Sequence, residues 1–387
     1  MNENSKICKF IQQNPQDWES ILHKDYDLRI KTEGDYAIFN YNVTCDFKDE
    51  IVQEARGIII DVKRLEVVCW PFRKFGNYNE GYADQIDWSS ARVLEKVDGS
   101  IIKLWFDLQK GEWQFSTNGT IRAENANVDG VMGLTYATVI RRADNYGDIP
   151  FDSLDKNCTY IFELVSRETR VVIDYKGTSL YHLGARSNLT GKEFEVDIGI
   201  KKPASYKLSS LNDCINAAIA LNQQDASADE IQNEGFVVVD KNYNRVKIKS
   251  PDYIMMHKVK SMTDLKKEDC LNVILYESDK MKSIFENCPD IVPVIKFYEY
   301  HLAELKHTAN RLASFAKSLM VEYGGDRRAV AQIILKHPLA PVAFKSLDSG
   351  KSGEEELLKI GVKIISKHVP EYKPQDFFAV FREDEEN

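Results

Sequence analysis

Long apolar runs are missing from this sequence. No stretch approaches the roughly 20 residues that span a bilayer, and Met1 to Ile11 has no apolar core behind a basic head, as a secretory signal would. The expectation is a soluble intracellular protein with no membrane partner. Cysteine is scarce and scattered: Cys8, Cys45, Cys69, Cys158, Cys214, Cys270 and Cys288 are odd in number, and no two stand at C-x-x-C spacing. That argues against a disulfide framework and against a zinc ribbon. An excess of positive charge is missing as well. Lys and Arg number 33 against 39 acids through Ser261, and 18 against 21 beyond it, which gives the net charge of −9. Neither part carries a domain-wide footprint for nucleic acid, so any polyanion site must be a local cluster.

What is present is organised around Leu94-Glu95-Lys96-Val97-Asp98-Gly99-Ser100. Apolar residues lead into Lys-x-Asp-Gly and a β-rich run leads out. Lys96 should therefore end one strand, with Asp98-Gly99 turning into the next. Gly99 can take a positive φ and lets a ligand approach the backbone. A lysine held there can act as a nucleophile if something keeps it neutral. Alone, the motif favours a surface hairpin carrying an exposed lysine.

The chain of 387 residues has room for two or three domains. A helix is expected around Pro15 to His23, and strands over Tyr36–Tyr41, Glu54–Asp61, Leu65–Trp70, Glu112–Thr117, Cys158–Val165, Arg170–Asp174 and Ser179–Ala185. Residues 121 to 147 read as helical, and Asn212 to Asn222 as an Ala-rich helix. Gly235 to Asp240 is an apolar strand preceded by Glu234. In Arg245-Val246-Lys247-Ile248-Lys249, period two puts both lysines on one face. Adjacent like charges suit either an anion site or a solvated sheet edge.

Beyond Ser261 the texture becomes helical. Leu305, Leu312, Phe315 and Leu319 recur at helical spacing, and Gly324-Gly325 stops that helix. Ser352 with Glu355 makes a capping box. Gly350-Lys351-Ser352 lacks the opening glycine of a phosphate loop and reads as a helix start. Arg382 to Asn387 is an acidic tail.

Arg56, Lys74, Lys96, Glu163, Glu234, Lys247 and Lys249 form a mixture that a nucleoside triphosphate with a divalent metal would need. Cations hold phosphate oxygens, carboxylates hold metal, and one lysine attacks. A cationic neighbourhood would depress the pKa of that lysine.

The ordered motifs resemble those of the covalent nucleotidyltransferases, the polynucleotide ligases and capping enzymes. They are Lys96-Asp98-Gly99, Glu163 in Tyr-Ile-Phe-Glu, Glu234-Gly235, and Lys247-Ile248-Lys249. Within that superfamily the chain is most similar to the RNA ligase 1 family of T-even bacteriophages. Glu-Ala-Arg-Gly-Ile-Ile-Ile, Pro-Phe-Arg-Lys-Phe-Gly-Asn, Arg170-Val171-Val172 and Lys249-Ser250-Pro251-Asp252-Tyr253 carry that likeness, over roughly residues 36 to 260.

The resemblance implies an α+β fold. A nucleotidyltransferase (ATP-grasp-like ligase) domain with antiparallel sheets would span 1–261, followed by an all-helical domain over 262–387. It implies an ATP-dependent RNA ligase that joins 5′-phosphate and 3′-hydroxyl ends through lysyl-AMP and RNA-adenylate intermediates in RNA repair. ATP and Mg²⁺, or Mn²⁺, would be its cofactors. Single-stranded or nicked RNA, tRNA included, would be its partner. Lys96 would take the nucleotide. Arg56 and Lys74 would bind phosphates, Glu163 the ribose side, and Lys247 and Lys249 the α-phosphate. Glu95, Gly99 and Tyr253 would complete the nucleotide site, and Glu234 would organise metal. The location would be cytoplasmic, the host cytoplasm if viral, and a monomer is expected.

Two departures stand out: Gly76 replaces a second aromatic, and Asn118 stands where the family carries a strand-end lysine or arginine. A DNA ligase or GTP-dependent capping enzyme would continue after Lys249 into a β-barrel, and this chain continues into helices. A non-catalytic RNA-binding protein on a ligase scaffold would have no need of Lys96, Glu234, Lys247 and Lys249 together. Lys306, Arg311, Arg327 and Arg328 are the C-terminal cations available to RNA phosphates.

Overall fold

The computed structural model describes residues 4–128, 131–221, 231–261, 266–276 and 292–372. The chain divides into two compact units. The first comprises Met1–Asp225 and Glu230–His257, and the second runs from Lys258. The acidic tail lies outside the described residues. Among those residues no helix is long and apolar enough to cross a membrane.

The first unit is built from three antiparallel sheets. One is a meander of β1 (Leu28–Glu33), β2 (Tyr36–Tyr41), β3 (Arg56–Asp61) and β4 (Glu66–Cys69). Its outer face carries Phe39, Ile58, Ile60 and Val67 and buries them under the helices Lys6–Gln13, Trp18–Lys24 and Glu50–Glu54. Its other face uses Ile38, Ile59 and Val68 to meet Trp105. Period-two alternation thus supplies both contacts from the same strands.

β5 (Arg92–Glu95) lies outside the central sheet: it pairs with the short β11 (Ser205–Tyr206) on one side and with β12 (Gly235–Val239) on the other, and β12 pairs in turn with β13 (Arg245–Lys249), in a sheet of their own. The strand after the lysine, β6 (Ser100–Asp107), joins β7 (Glu112–Thr117), β8 (Cys158–Val165), β9 (Ser179–Ser187) and β10 (Glu193–Phe194). The expected hairpin at Asp98-Gly99 is therefore a crossing between two sheets. Gly99 is not a left-handed residue either. A Cβ there would lie 2.3 Å from the Leu164 carbonyl oxygen and 3.1 Å from Glu163 Cγ. Close approach of two backbones is what requires glycine.

Several local expectations change. Among the described residues of 121–147 the one α-helix is the short Tyr136–Arg141, flanked by 3-10 turns at Ala123–Asn125 and Tyr146–Asp148. These residues pack Ala123, Val128, Leu134, Val139 and Ile140 onto the β6–β8 face, and that core fixes the chain without a continuous helix. Residues 170–174 form no strand, because the Val172 and Ile173 amides donate to Asp98 Oδ2 (2.8 and 2.7 Å) instead of to a ladder. The helix Lys6–Gln13, capped by Ser5, and strand β1 were not anticipated.

The second unit is helical. The long helix Val292–Glu322 buries Ala309, Ala313, Ala316 and Leu319, leaving Phe315 exposed one position away. Ser352 and Glu355 form both halves of the capping box, and Gly350 ends the preceding helix in the left-handed conformation.

Candidate active site

Strand register brings the motifs together. Glu95 on β5 faces Phe236 on β12, and Gly235 faces Lys249 on β13. The Lys96 amide extends the ladder to the Gly235 carbonyl (2.9 Å). Lys96, Glu234 and Lys249 are thus neighbours across three adjacent strand ends. Gly235 has φ of +139°, and a Cβ there would fall 2.1 Å from the Ile248 carbonyl oxygen. Only glycine lets Glu234 enter this corner.

Glu234 is buried and holds both lysines. Its Oε2 accepts from Lys96 Nζ at 2.7 Å and its Oε1 pairs with Lys249 Nζ at 2.9 Å. Burial pushes this carboxyl up, but the two ammonium groups outweigh it and leave the pKa below its usual value. Lys96 mirrors this. Burial pulls it down, yet Glu234 and Glu163 hold it above the usual lysine value. The expected depression of the Lys96 pKa is therefore not found, because the attraction of Glu234 and Glu163 outweighs the effect of burial.

The depressed lysine is Lys247, brought to about 6 by burial and by Arg56, Lys74, Lys96 and Lys249. Its ammonium lies 4.9 Å over the Phe75 ring, which Arg56 also covers at 5.1 Å. Glu163 reaches the site from β8 opposite Ile101, and burial raises it to about 8.

A cleft of about 1100 Å³ opens here. Arg56, Glu95, Lys96, Gly99, Glu163 and Lys247 line it. Glu234 and Lys249 are not on this wall; Glu234 links them to it through its ion pairs with Lys96 and Lys249. Lys74 is not on the wall. Its ammonium sits over Phe47 and Tyr41 at 4.7 and 5.0 Å. Tyr253 is also off the wall: it is buried, and its hydroxyl donates to Asp98 Oδ1 at 2.7 Å. Asp98 thereby ties the lysine segment to the helix Pro251–Ser261 and to the 172–173 backbone.

Gly76 accepts from the Lys247 amide (3.0 Å). A Cβ at 76 would sit 3.1 to 3.3 Å from Tyr82, Glu80 and Ala83, so a larger residue there would need these neighbours to yield by a few tenths of an ångström. Asn118 lines the cleft, and its Oδ1 is buried with no protein partner.

Lys103 was not anticipated. It is fully buried in β6, and its ammonium donates to the Gly57 and Thr117 carbonyls, both at 2.7 Å. Burial lowers it to about 8. A lone lysine inside Ser-Ile-Ile-Lys-Leu-Trp-Phe-Asp was the signal for it.

The RNA ligase family model matches residues 54–262, which include every side chain of this constellation. The chain belongs to the RNA ligase family. A protein of Autographa californica nuclear polyhedrosis virus, provisionally named a bifunctional polynucleotide kinase/RNA ligase, is 31% identical over 298 residues, 70% of this chain. The chain spans only 40% of the length of that relative. The RNA ligase of Rhodothermus phage RM378 is 24% identical over 67% of this chain and 74% of its own. An archaeal ATP-dependent RNA ligase structure aligns with a TM-score of 0.46 at 13% identity, over 77% of this chain and 82% of that one.

Among the described residues no three metal-ligating side chains converge. Both Glu234 oxygens are engaged by lysines, and both Asp98 oxygens already accept, from Tyr253 and from two amides. This donor set suits an ion that arrives on a triphosphate and borrows one carboxylate, as Mg²⁺ commonly does, better than a resident ion.

Proposed function

We propose that this ligase joins RNA 5′-phosphate and 3′-hydroxyl ends using ATP, with Lys96 as the nucleophile. The observation that carries the reading is the position of Lys96. It stands on the cleft wall beside Arg56 and Lys247, with Glu234 at 2.7 Å from its Nζ. The ammonium must lose a proton before it can attack, and Glu234 is the acceptor in contact.

In the first step Lys96 Nζ bonds to the α-phosphorus of ATP, and the bond to the β-phosphate oxygen breaks, releasing pyrophosphate. Arg56 and Lys247 hold the triphosphate, with Lys74 adding its charge from off the wall; Lys249 is assigned the α-phosphate and Glu163 the ribose. Glu95 and Gly99 border the nucleotide, and Tyr253 acts through Asp98. Glu234 is the carboxylate that would hold a divalent ion, Mg²⁺ or Mn²⁺, which would supply charge neutralisation at the phosphates; conversion of Lys96 to a phosphoramidate removes the ammonium paired with Glu234 Oε2. In the second step an RNA 5′-phosphate oxygen attacks the same phosphorus, and the P–N bond breaks. In the third a 3′-hydroxyl oxygen attacks the 5′-phosphorus, and AMP leaves.

The natural substrate is taken to be nicked or single-stranded RNA, tRNA included. The helix Pro251–Ser261 directly after β13 supports a ligase of this family over one with an appended barrel. The test is incubation of 5′-phosphorylated RNA with ATP and Mg²⁺, followed by electrophoresis. A circular or joined RNA is expected from RNA and not from the matching DNA. Joining of the DNA alone would overturn the reading.

A further inference from the structure

Two exposed cations line the same cleft without belonging to the nucleotide cluster. Arg29 and Lys31 lie on β1, the edge strand of the first sheet. Period two puts them on one face. That face is the inward one: Lys31 stands opposite Ile38, and Ile38 opposite Ile59, both of which pack towards Trp105. In the next row Arg29 stands opposite Asn40, and Asn40 opposite Arg56. The cations therefore run outward from Arg56 across three strands, about 10 Å in all at normal strand spacing.

The acids around them are already engaged. Glu33, next on the same face, is bonded to Arg122 at 2.5 Å. Asp27 feels Arg29 only through space and is tied to Thr44 and Asn42. Arg29 donates only to the Tyr41 carbonyl (3.3 Å) among the described bonds. The strongest charges acting on Lys247 are Arg56, Lys74, Lys96 and Lys249, and the β1 pair is not among them. Two of the C-terminal cations, by contrast, are taken up: Lys306 by Glu354 and Arg327 by Asp348. An edge strand often carries charge to discourage pairing, but such charges have no reason to face a cleft. Asn118, which lines the same space, adds a neutral amide. Both cations also precede the segment matched by the family model, 54–262.

We propose that Arg29 and Lys31 hold the phosphate backbone of the RNA strand being sealed, as a track that leads to the nucleotide pocket without forming part of it. This rests on the ligase reading above. The contact is electrostatic and independent of sequence. Two phosphates neutralised on a single strand contribute about 1.4 to the slope of log affinity against log salt.

The test uses the full chain with Arg29→Gln and Lys31→Gln combined, a 5′-phosphorylated RNA oligonucleotide and a salt series. Expected is a salt slope shallower by about 1.4, with self-labelling by α-labelled ATP changed less than about twofold and an unchanged melting curve. The exchange variant Arg29→Lys with Lys31→Arg keeps both charges and should restore the slope, which separates charge from folding. An unchanged slope in the neutral variant would overturn the proposal. So would a matching loss of ATP labelling, which would place the pair in the nucleotide pocket. A wild-type chain that takes no label from ATP would overturn the ligase reading itself.

Discussion

Lys247 should take up a proton when the nucleotide binds. In the free protein burial under Phe75, with Arg56, Lys74, Lys96 and Lys249 around it, brings this lysine to about 6. At pH 7.5 only about 3% of molecules then carry the charge. A triphosphate placed against it reverses the sign of the local field and favours the ammonium. Binding should therefore draw close to one proton per nucleotide from the buffer. The measurement is calorimetric titration with α,β-methylene ATP and Mg²⁺ at pH 7.5, in buffers of different ionisation enthalpy. The analogue blocks transfer to Lys96, so only binding is read. A dependence corresponding to roughly +0.9 proton is expected, and Lys247→Met should bring it near zero. The same shift has a stability consequence. Between about pH 6 and 10.5 the unfolded chain holds a proton that the folded chain lacks, so this residue's contribution makes stability rise with pH across that window. Lys247→Met should accordingly raise the melting temperature most at the acid end. No proton uptake in the wild type, or uptake that survives in Lys247→Met, would refute the argument.

Gly99→Ala should abolish labelling by ATP and lower the melting temperature, because a Cβ 2.3 Å from the Leu164 carbonyl forces β6 away from β8; a stable, fully active variant would refute the close-approach reading. Tyr253→Phe removes a buried hydrogen bond to the Asp98 carboxylate and should destabilise the first unit by about 1.5–3 kcal/mol, read by chemical denaturation, with a loss below about 0.5 kcal/mol counting against Asp98 as the tie between segments.

The strands that carry or adjoin Lys96, Glu163, Glu234, Lys247 and Lys249 were legible because each motif sits on a short β run whose period is local. The pairing partners were not legible. β5 and β6 flank one tight sequence yet join different sheets, and that depends on contacts more than a hundred residues away, such as Glu95 with Phe236. Residues 121–147 carry helical propensity, but packing on the β6–β8 face overrides it. The 170–174 run looks like a strand because Val172 and Ile173 are β-branched, and Asp98 captures their amides instead. The reversal between Lys96 and Lys247 was out of reach for the same reason. Sequence shows cations near a lysine motif, while the structure shows which of them has the carboxylate. Lys103 was readable in principle, as a charge inside an apolar strand.

The central claim is that Lys96 forms the covalent bond to the nucleotide. The direct measurement is mass spectrometry of the protein after incubation with ATP and Mg²⁺, with the adduct located by peptide mapping. The account predicts the mass of one AMP on Lys96, no adduct in Lys96→Ala, and continued sealing of RNA supplied with a pre-adenylylated 5′ end by that variant. An AMP adduct on any other residue, or one retained in Lys96→Ala, would contradict it.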